Sequence, residues 1–255
     1  GISTLSAILK KRGHEVKVIH LHKSGLLDSL STEGYDIICI SAISSQQRYV
    51  QDFLEQNNKK IPIVIGGLLA TFDPETVRDL VTCVIRGEAE TLLPYAIENR
   101  IQGTLSASGY SDLNLLPPMD TDAFHYDRII GIKKGWAEMM IGRGCPFNCS
   151  YCFNEEYKKL YGTANFIRFK PVDLVLEELC SFKRLCPNLK VFNFVDDNFT
   201  YSKSYLEKIL PHYKKEINLP FLCDTRPEFI DQDTAIILKE NGCRLVRMAL
   251  ESGSN

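Results

Sequence analysis

The stretch Gly142-Arg143-Gly144-Cys145-Pro146-Phe147-Asn148-Cys149-Ser150-Tyr151-Cys152-Phe153-Asn154 holds three cysteines within eight residues, spaced C-x3-C-x2-C. Just before it, Ala137-Glu138-Met139-Met140-Ile141 reads as a buried strand. Gly142 and Gly144 are expected to break that strand, and Pro146 keeps the first cysteines out of a helix. The cysteines are therefore expected on a loop at the C-terminal end of a strand, a loop short enough to point three thiolates at one place.

Three soft thiolates without a fourth partner nearby suit an iron–sulfur cluster with one open iron. A structural zinc site would want a fourth ligand, usually a second C-x2-C or a histidine pair. The remaining cysteines, Cys39, Cys83, Cys180, Cys186, Cys223 and Cys243, show no such pairing. Zinc, or three cysteines clustered without a ligand, are the competing readings of the spacing alone.

Outward from this loop, strands alternate with helices. After it, helices are expected at 171–185, 203–216 and 231–241, and strands at 190–195, 221–223 and 244–250. Pro171 suits a helix first turn and Gly242 a helix end. Before it, Ile2, Leu5, Ile8 and Leu9 share one face of a helix over 2–12 that Gly13 ends. Apolar runs predict strands at 15–21, 36–41, 61–65 and 81–85, with helices at 46–58, 74–80 and 90–99. Nearly continuous apolar strands alternating with helices argue for parallel sheets covered on both faces. Between 100 and 135, Gly103, Ser106, Ser108, Gly109, Ser111, Pro117 and Pro118 interrupt any periodicity. That stretch reads as a linker with a local hairpin, dividing a first domain at 1–100 from a second at 136–255.

The chain has 255 residues, 44% of them hydrophobic, and a formal net charge of −2. Such a length allows one large or two modest domains. The charge gives no electrostatic case for nucleic acid or a membrane surface. No apolar run approaches the roughly 18 residues a membrane-spanning helix needs. Nine cysteines, three of them in one motif, fit a reducing cytoplasm better than a disulfide framework.

C-x3-C-x2-C with Tyr151 before the last cysteine resembles the signature of the radical S-adenosylmethionine (radical SAM) superfamily. The resemblance implies that Cys145, Cys149 and Cys152 hold a [4Fe–4S] cluster. Its fourth iron would bind the amino and carboxylate groups of S-adenosylmethionine (SAM), which one electron cleaves to a 5′-deoxyadenosyl radical. It further implies a TIM-type (βα) barrel. Asp196 and Asp197, with Asn198, follow the second barrel strand, where the family holds the methionine amino group. The family often has Gly-Gly-Glu there, so this sequence departs from it; helix capping is the alternative role. Glu251, in Glu251-Ser252-Gly253-Ser254, resembles a stretch that contacts the ribose and methionine portions of SAM; a carboxylate suits a ribose diol. Arg226 would pair with the methionine carboxylate, or else form a surface ion pair. Tyr151 and Phe153 would flank the adenine or pack the loop.

In the first half, Ile65-Gly66-Gly67, followed by Thr71 and Pro74-Glu75, resembles the glycine stretch of the cobalamin-binding domains that precede such barrels. Ser41-Ala42-Ile43-Ser44 and Arg86-Gly87-Glu88 resemble the neighbouring loops. This implies a flavodoxin-like domain with Ser41, Gly66, Gly67, Gly87 and Glu88 at the cobalamin; ordinary βα turns also favour glycine. The Asp-x-His-x-x-Gly loop that supplies a lower histidine ligand in other cobalamin proteins is absent, and His14, His20 and His22 do not replace it.

A flavodoxin-like sheet places its first strand in the interior, and the chain opens on a helix. Radical SAM barrels usually have six strands, and four are expected here. The chain therefore reads as part of a longer polypeptide, with the substrate walls beyond its C-terminus. The leading expectation is a cobalamin-dependent enzyme that methylates an unactivated centre of a small molecule, with a one-electron reductant such as flavodoxin or ferredoxin. A radical cyclase or rearrangement enzyme with the same cofactors is the alternative, as is a degenerate chain that serves as a cobalamin-binding or assembly module.

Overall fold

A computed structural model describes residues 1–19, 34–57 and 61–249. By their internal contacts they form two compact units. The first comprises Gly1–Asp112 together with Glu155–Thr163, and the second takes the rest.

The first unit contains a four-stranded sheet, β1 (Ile38–Ser41), β2 (Ile63–Gly66), β3 (Cys83–Arg86) and β4 (Gly103–Ser106), paired in that order and parallel throughout. The period of two along a strand sorts its side chains between two cores. Ile63, Ile65 and Val84 join Val50, Leu54 and Leu69 on one face, under α2 (Gln47–Asn57) and α3 (Gly67–Phe72). Val64, Cys83 and Ile85 join Leu9, Leu93 and Ala96 on the other, under α1 (Ile2–Lys11) and α4 (Leu92–Glu98). Both faces are covered, as the apolar runs predict.

Local pattern misplaces several pieces of this unit. The strand expected at 15–21 is irregular over its described residues, 15–19. The helix expected at 74–80 is instead α3 followed by two short 3-10 turns, Pro74–Thr76 and Arg78–Leu80. Asp73 and Pro74 stop α3, since proline restricts the residue before it and cannot sit in a helix interior. No hairpin forms in the stretch read as a linker. Its start is β4, whose parallel ladder satisfies the open edge of β3, and its end carries α5 (Tyr126–Ile132).

The second unit holds β5 (Trp136–Met139), β8 (Val191–Phe194), β9 (Phe221–Asp224) and β10 (Cys243–Arg247), parallel and side by side in chain order. Consecutive parallel strands with helices between them are the opening pattern of a (βα) barrel. α7 (Val172–Leu185) follows β5, α8 (Lys203–His212) follows β8, and α9 (Gln232–Glu240) follows β9. β8 is buried at all four positions because β5 and β9 flank it. Phe192, Phe194, Phe199, Tyr213 and Phe221 fill the core, with Phe194 ring centroids 4.8 Å from Phe199 and 5.5 Å from Phe221. Edge-to-face and offset contacts of this kind add to burial. α8 passes into a wider π turn at Tyr213–Ile217 rather than running on to 216 as a regular helix. In sequence between β5 and α7 come a two-residue antiparallel ladder, β6 (Gly142–Arg143) with β7 (Arg168–Phe169), and α6 (Phe153–Tyr161), most of which belongs to the first unit.

Candidate functional site

The strand expected to run to Ile141 ends at Met139, and the chain then turns to pair Gly142 and Arg143 with β7. Gly142 and Gly144 thus do more than interrupt a strand. A Cβ on Gly142 would lie 2.8 Å from the Phe169 ring, and one on Gly144 would lie 2.3 Å from the Phe166 carbonyl oxygen. Gly144 also has φ of +91°, which side chains rarely adopt. The loop that carries Cys145 is therefore pressed against 166–169.

The cysteines follow on this loop. The Cys152 N–H donates to the Cys149 carbonyl at 2.9 Å, a tight turn that leads directly into α6. None of the three is in a disulfide, and all three are partly buried. Among the described residues no three His, Cys, Asp or Glu side chains converge as a preassembled metal cage. What the structure supplies is the donor set: three thiols on one short loop at the C-terminal edge of a parallel sheet, without a histidine or fourth cysteine in that loop. This fits a cluster with an open iron and does not fit a four-ligand zinc site.

Arg226, two residues past β9, reaches the same loop. Its Nη1 lies 3.6 Å from Cys149 Sγ, and its guanidinium carbon sits 3.9 Å from the centre of the Phe147 ring. Its other nitrogens donate to Glu228 at 3.0 and 3.3 Å. Phe147 in turn packs edge-on against Phe229, at 5.9 Å. Tyr151 is 70% exposed and Phe153 is 43% exposed.

Asp196 and Asp197 also arrive at the loop, in a use the sequence does not reveal. Asp196 Oδ1 accepts the N–H of Gly142 at 2.6 Å and of Ile141 at 3.0 Å, and Asp197 Oδ2 accepts the N–H of Gly144 at 3.1 Å. Burial pushes the Asp196 carboxyl up to about 7, helped by the negative Asp197 beside it and opposed by the two N–H donors and Lys170. Neighbouring polar groups form a second network missed from the sequence. Thr225 donates to Asn198 Oδ1 at 2.9 Å, while Arg247 bridges Asp224 and Asn193. Glu251, with Ser252 and Ser254, lies outside the described residues, as do His20 and His22.

In the first unit, the loops at the C-terminal ends of β1, β2 and β3 lie together. Gly67, at φ of +86°, has its Cβ position 2.7 Å from the Ala42 carbonyl oxygen and 3.0 Å from Ser41 Oγ. Thr71 ties the loops: its hydroxyl donates to the Gly67 carbonyl at 2.8 Å and accepts the Gly87 N–H at 3.0 Å. Gly66 caps α3, and Glu88 accepts the Ser111 N–H at 2.6 Å. Gly87, at φ of +90°, faces Ala107 and the Tyr161 hydroxyl, 3.0 Å from where its Cβ would stand. The close approaches at both glycines are thus to protein atoms. Tyr161, on α6, and Tyr110, whose hydroxyl donates to the Gly162 carbonyl at 2.8 Å, carry no sequence signal of this role.

Residues 1–96 match the B12 binding domain family, and residues 139–255 match the radical SAM superfamily. The chain is similar to an uncharacterized methyltransferase of Pyrococcus horikoshii, 26% identical over all of this chain and 61% of that one. It is similar to the bacteriochlorophyllide d C-8(2)-methyltransferase of Chlorobaculum tepidum, 25% identical over 94% of this chain and 54% of that one. It therefore spans less than two thirds of the length of these relatives. Its fold resembles that of the radical SAM methyltransferase TsrM of Kitasatospora setae, with a TM-score of 0.70 and 16% identity over 96% of this chain and 55% of that one. TsrM has been solved with tryptophan and a SAM analog, and with cobalamin and a [4Fe–4S] cluster. The two matches, in this order, give the chain a B12-binding domain over residues 1–96 ahead of a radical SAM domain over residues 139–255.

Proposed function

We propose that the protein is a cobalamin-dependent radical SAM methyltransferase acting on an unactivated carbon or phosphorus centre of a small molecule. The observation that carries this reading is the placement of Cys145, Cys149 and Cys152 on one loop at the C-terminal rim of a sequentially ordered parallel sheet, with the Arg226 guanidinium 3.6 Å from Cys149. Cys145, Cys149 and Cys152 would hold a [4Fe–4S] cluster through their three thiolates, and that cluster would supply the one-electron chemistry that cleaves SAM. Ser41, Gly66, Gly67, Gly87 and Glu88, on the loops after β1, β2 and β3, would form the rim that holds cobalamin, which would supply the methyl carrier.

The remaining work falls to the chain. Arg226 offers a planar fork to the methionine carboxylate, and its N–H toward Cys149 tempers the charge on that sulfur. Tyr151 and Phe153 give the adenine an apolar flank, and Glu251 offers acceptors to the ribose hydroxyls. A one-electron reductant of the flavodoxin or ferredoxin type would feed the site. The names of the relatives, both methyltransferases, favour methyl transfer over cyclisation.

Anaerobic incubation with iron and sulfide tests this. About four irons should enter per chain, as one cubane requires. Cys149→Ala should abolish the iron absorbance, and Cys180→Ala should leave it. Tight zinc uptake with no iron would overturn the reading.

A further inference from the structure

Asp196 and Asp197 stand where the resemblance puts the ligand of the SAM amino group, yet both carboxylates are turned to the backbone. Asp196 is 4% exposed. Its Oδ1 takes two N–H donors, from Ile141 and Gly142, and its Oδ2 lies 3.3 Å from the same Ile141 nitrogen. Asp197 takes the N–H of Gly144. Three of the five amides between β5 and Cys145 are thereby bound by two adjacent carboxylates that lie more than fifty residues away in sequence.

The remaining polar groups of this segment agree. The Ile141 carbonyl accepts the Lys170 N–H at 2.8 Å, and the Val195 N–H donates to the Met139 carbonyl at 2.9 Å. The segment 140–144 lies beyond the β5–β8 ladder, so its buried N–H groups need other acceptors, and the side-chain oxygens of Asp196 and Asp197 supply them. An ammonium ligand needs an acceptor that can be reached, and a buried oxygen with two donors on it has little left to offer.

We propose that Asp196, seconded by Asp197, is a positioning residue: it holds the backbone that presents Cys145, and does not itself bind the amino group of SAM. The inference rests on the reading of Cys145, Cys149 and Cys152 as cluster ligands. It deepens that reading by assigning the loop its support.

Two measurements decide it. The first is hydrogen–deuterium exchange over 140–145 in the protein without iron. Asp197→Ala should speed exchange at Gly144, and Asp196→Ala should speed it at Ile141 and Gly142. Asp196→Asn, which keeps an oxygen acceptor, should exchange as the parent does. The second is made after reconstitution. Asp197→Ala should lose iron to a chelator about tenfold faster, in line with a lost hydrogen bond to a charged group. Asp196→Asn should keep its iron and bind SAM within about twofold of the parent. Should Asp196→Ala fail to fold, Asp197→Ala and Asp196→Asn still carry the test. Unchanged exchange in Asp197→Ala overturns the proposal, as does an Asp196→Asn protein that retains iron but binds SAM tenfold more weakly. A parent protein that takes up no iron refutes the cluster reading instead, and the exchange data still judge the clamp.

Discussion

Asp196→Asn should change how stability depends on pH, and the sign follows from burial. The carboxyl rises from its ordinary 3.8 to about 7, chiefly because it is desolvated. Between those values the folded chain keeps a proton that the unfolded chain releases. The stability that this proton confers is complete below about pH 4 and is lost as pH rises to about 7. At about 1.4 kcal/mol per pH unit, the difference amounts to about 4 kcal/mol across the window. Asparagine cannot ionise, yet its Oδ1 can still accept the Ile141 and Gly142 N–H groups. The variant should therefore gain on the parent as pH rises from 4 to 7, by up to about 4 kcal/mol. Denaturant titrations of both proteins, at half-unit intervals across that range, measure the difference directly. A difference that stays flat would show that Asp196 does not titrate in this window. A parent that gains on the variant with rising pH would show that the N–H donors outweigh burial and hold the carboxylate ionised.

Gly144→Ala should cost 3 kcal/mol or more in the same denaturant assay, as a rough sum of backbone strain at positive φ and displacement of the Phe166 carbonyl; a loss under about 1 kcal/mol would mean that the loop is not pressed against 166–169. Gly87→Ala should destabilise by about 1–3 kcal/mol, and adding Tyr161→Ala should recover only the part due to the ring, since the strain at φ of +90° remains. Arg226→Ala should leave iron content unchanged after reconstitution while weakening SAM binding about tenfold or more, the size expected for a lost charge-assisted fork; unchanged affinity in a calorimetric titration would remove Arg226 from the ligand's path.

Some of this protein could be read along the chain because the controlling physics acts over a few residues. Pro171 at the start of α7 and Gly242 after the end of α9 are local features, and each marks a helix boundary that is observed. Apolar runs also identified β1, β2 and β3; β2 and β3 are buried on both faces, and a strand so placed must be apolar nearly throughout. β4 escaped because Gly103-Thr104-Leu105-Ser106 has one apolar side chain. It is a strand because the edge of β3 needs partners for its N–H and carbonyl groups. The strand expected at 15–21 fails over its described residues, 15–19, for the converse reason: an alternating pattern without a neighbouring ladder makes no strand there.

The site divides in the same way. Thiol chemistry and spacing make Cys145, Cys149 and Cys152 candidate metal ligands without any fold. The resemblance assigns Arg226 to the methionine carboxylate, but only the fold, through β9, delivers its guanidinium to Cys149, 77 residues earlier. Asp196-Asp197-Asn198 reads locally as a helix cap or an ammonium site, and Gly87 reads as room for a ligand. Only the folded chain brings the Ile141 and Gly142 amides to Asp196, 55 and 54 residues away, and Tyr161 to Gly87. Residue type dictates which bonds a side chain can make. Which partner it meets depends on how parallel strands, each separated from the next by a helix, come to lie side by side, and that is settled by burial of the whole sheet.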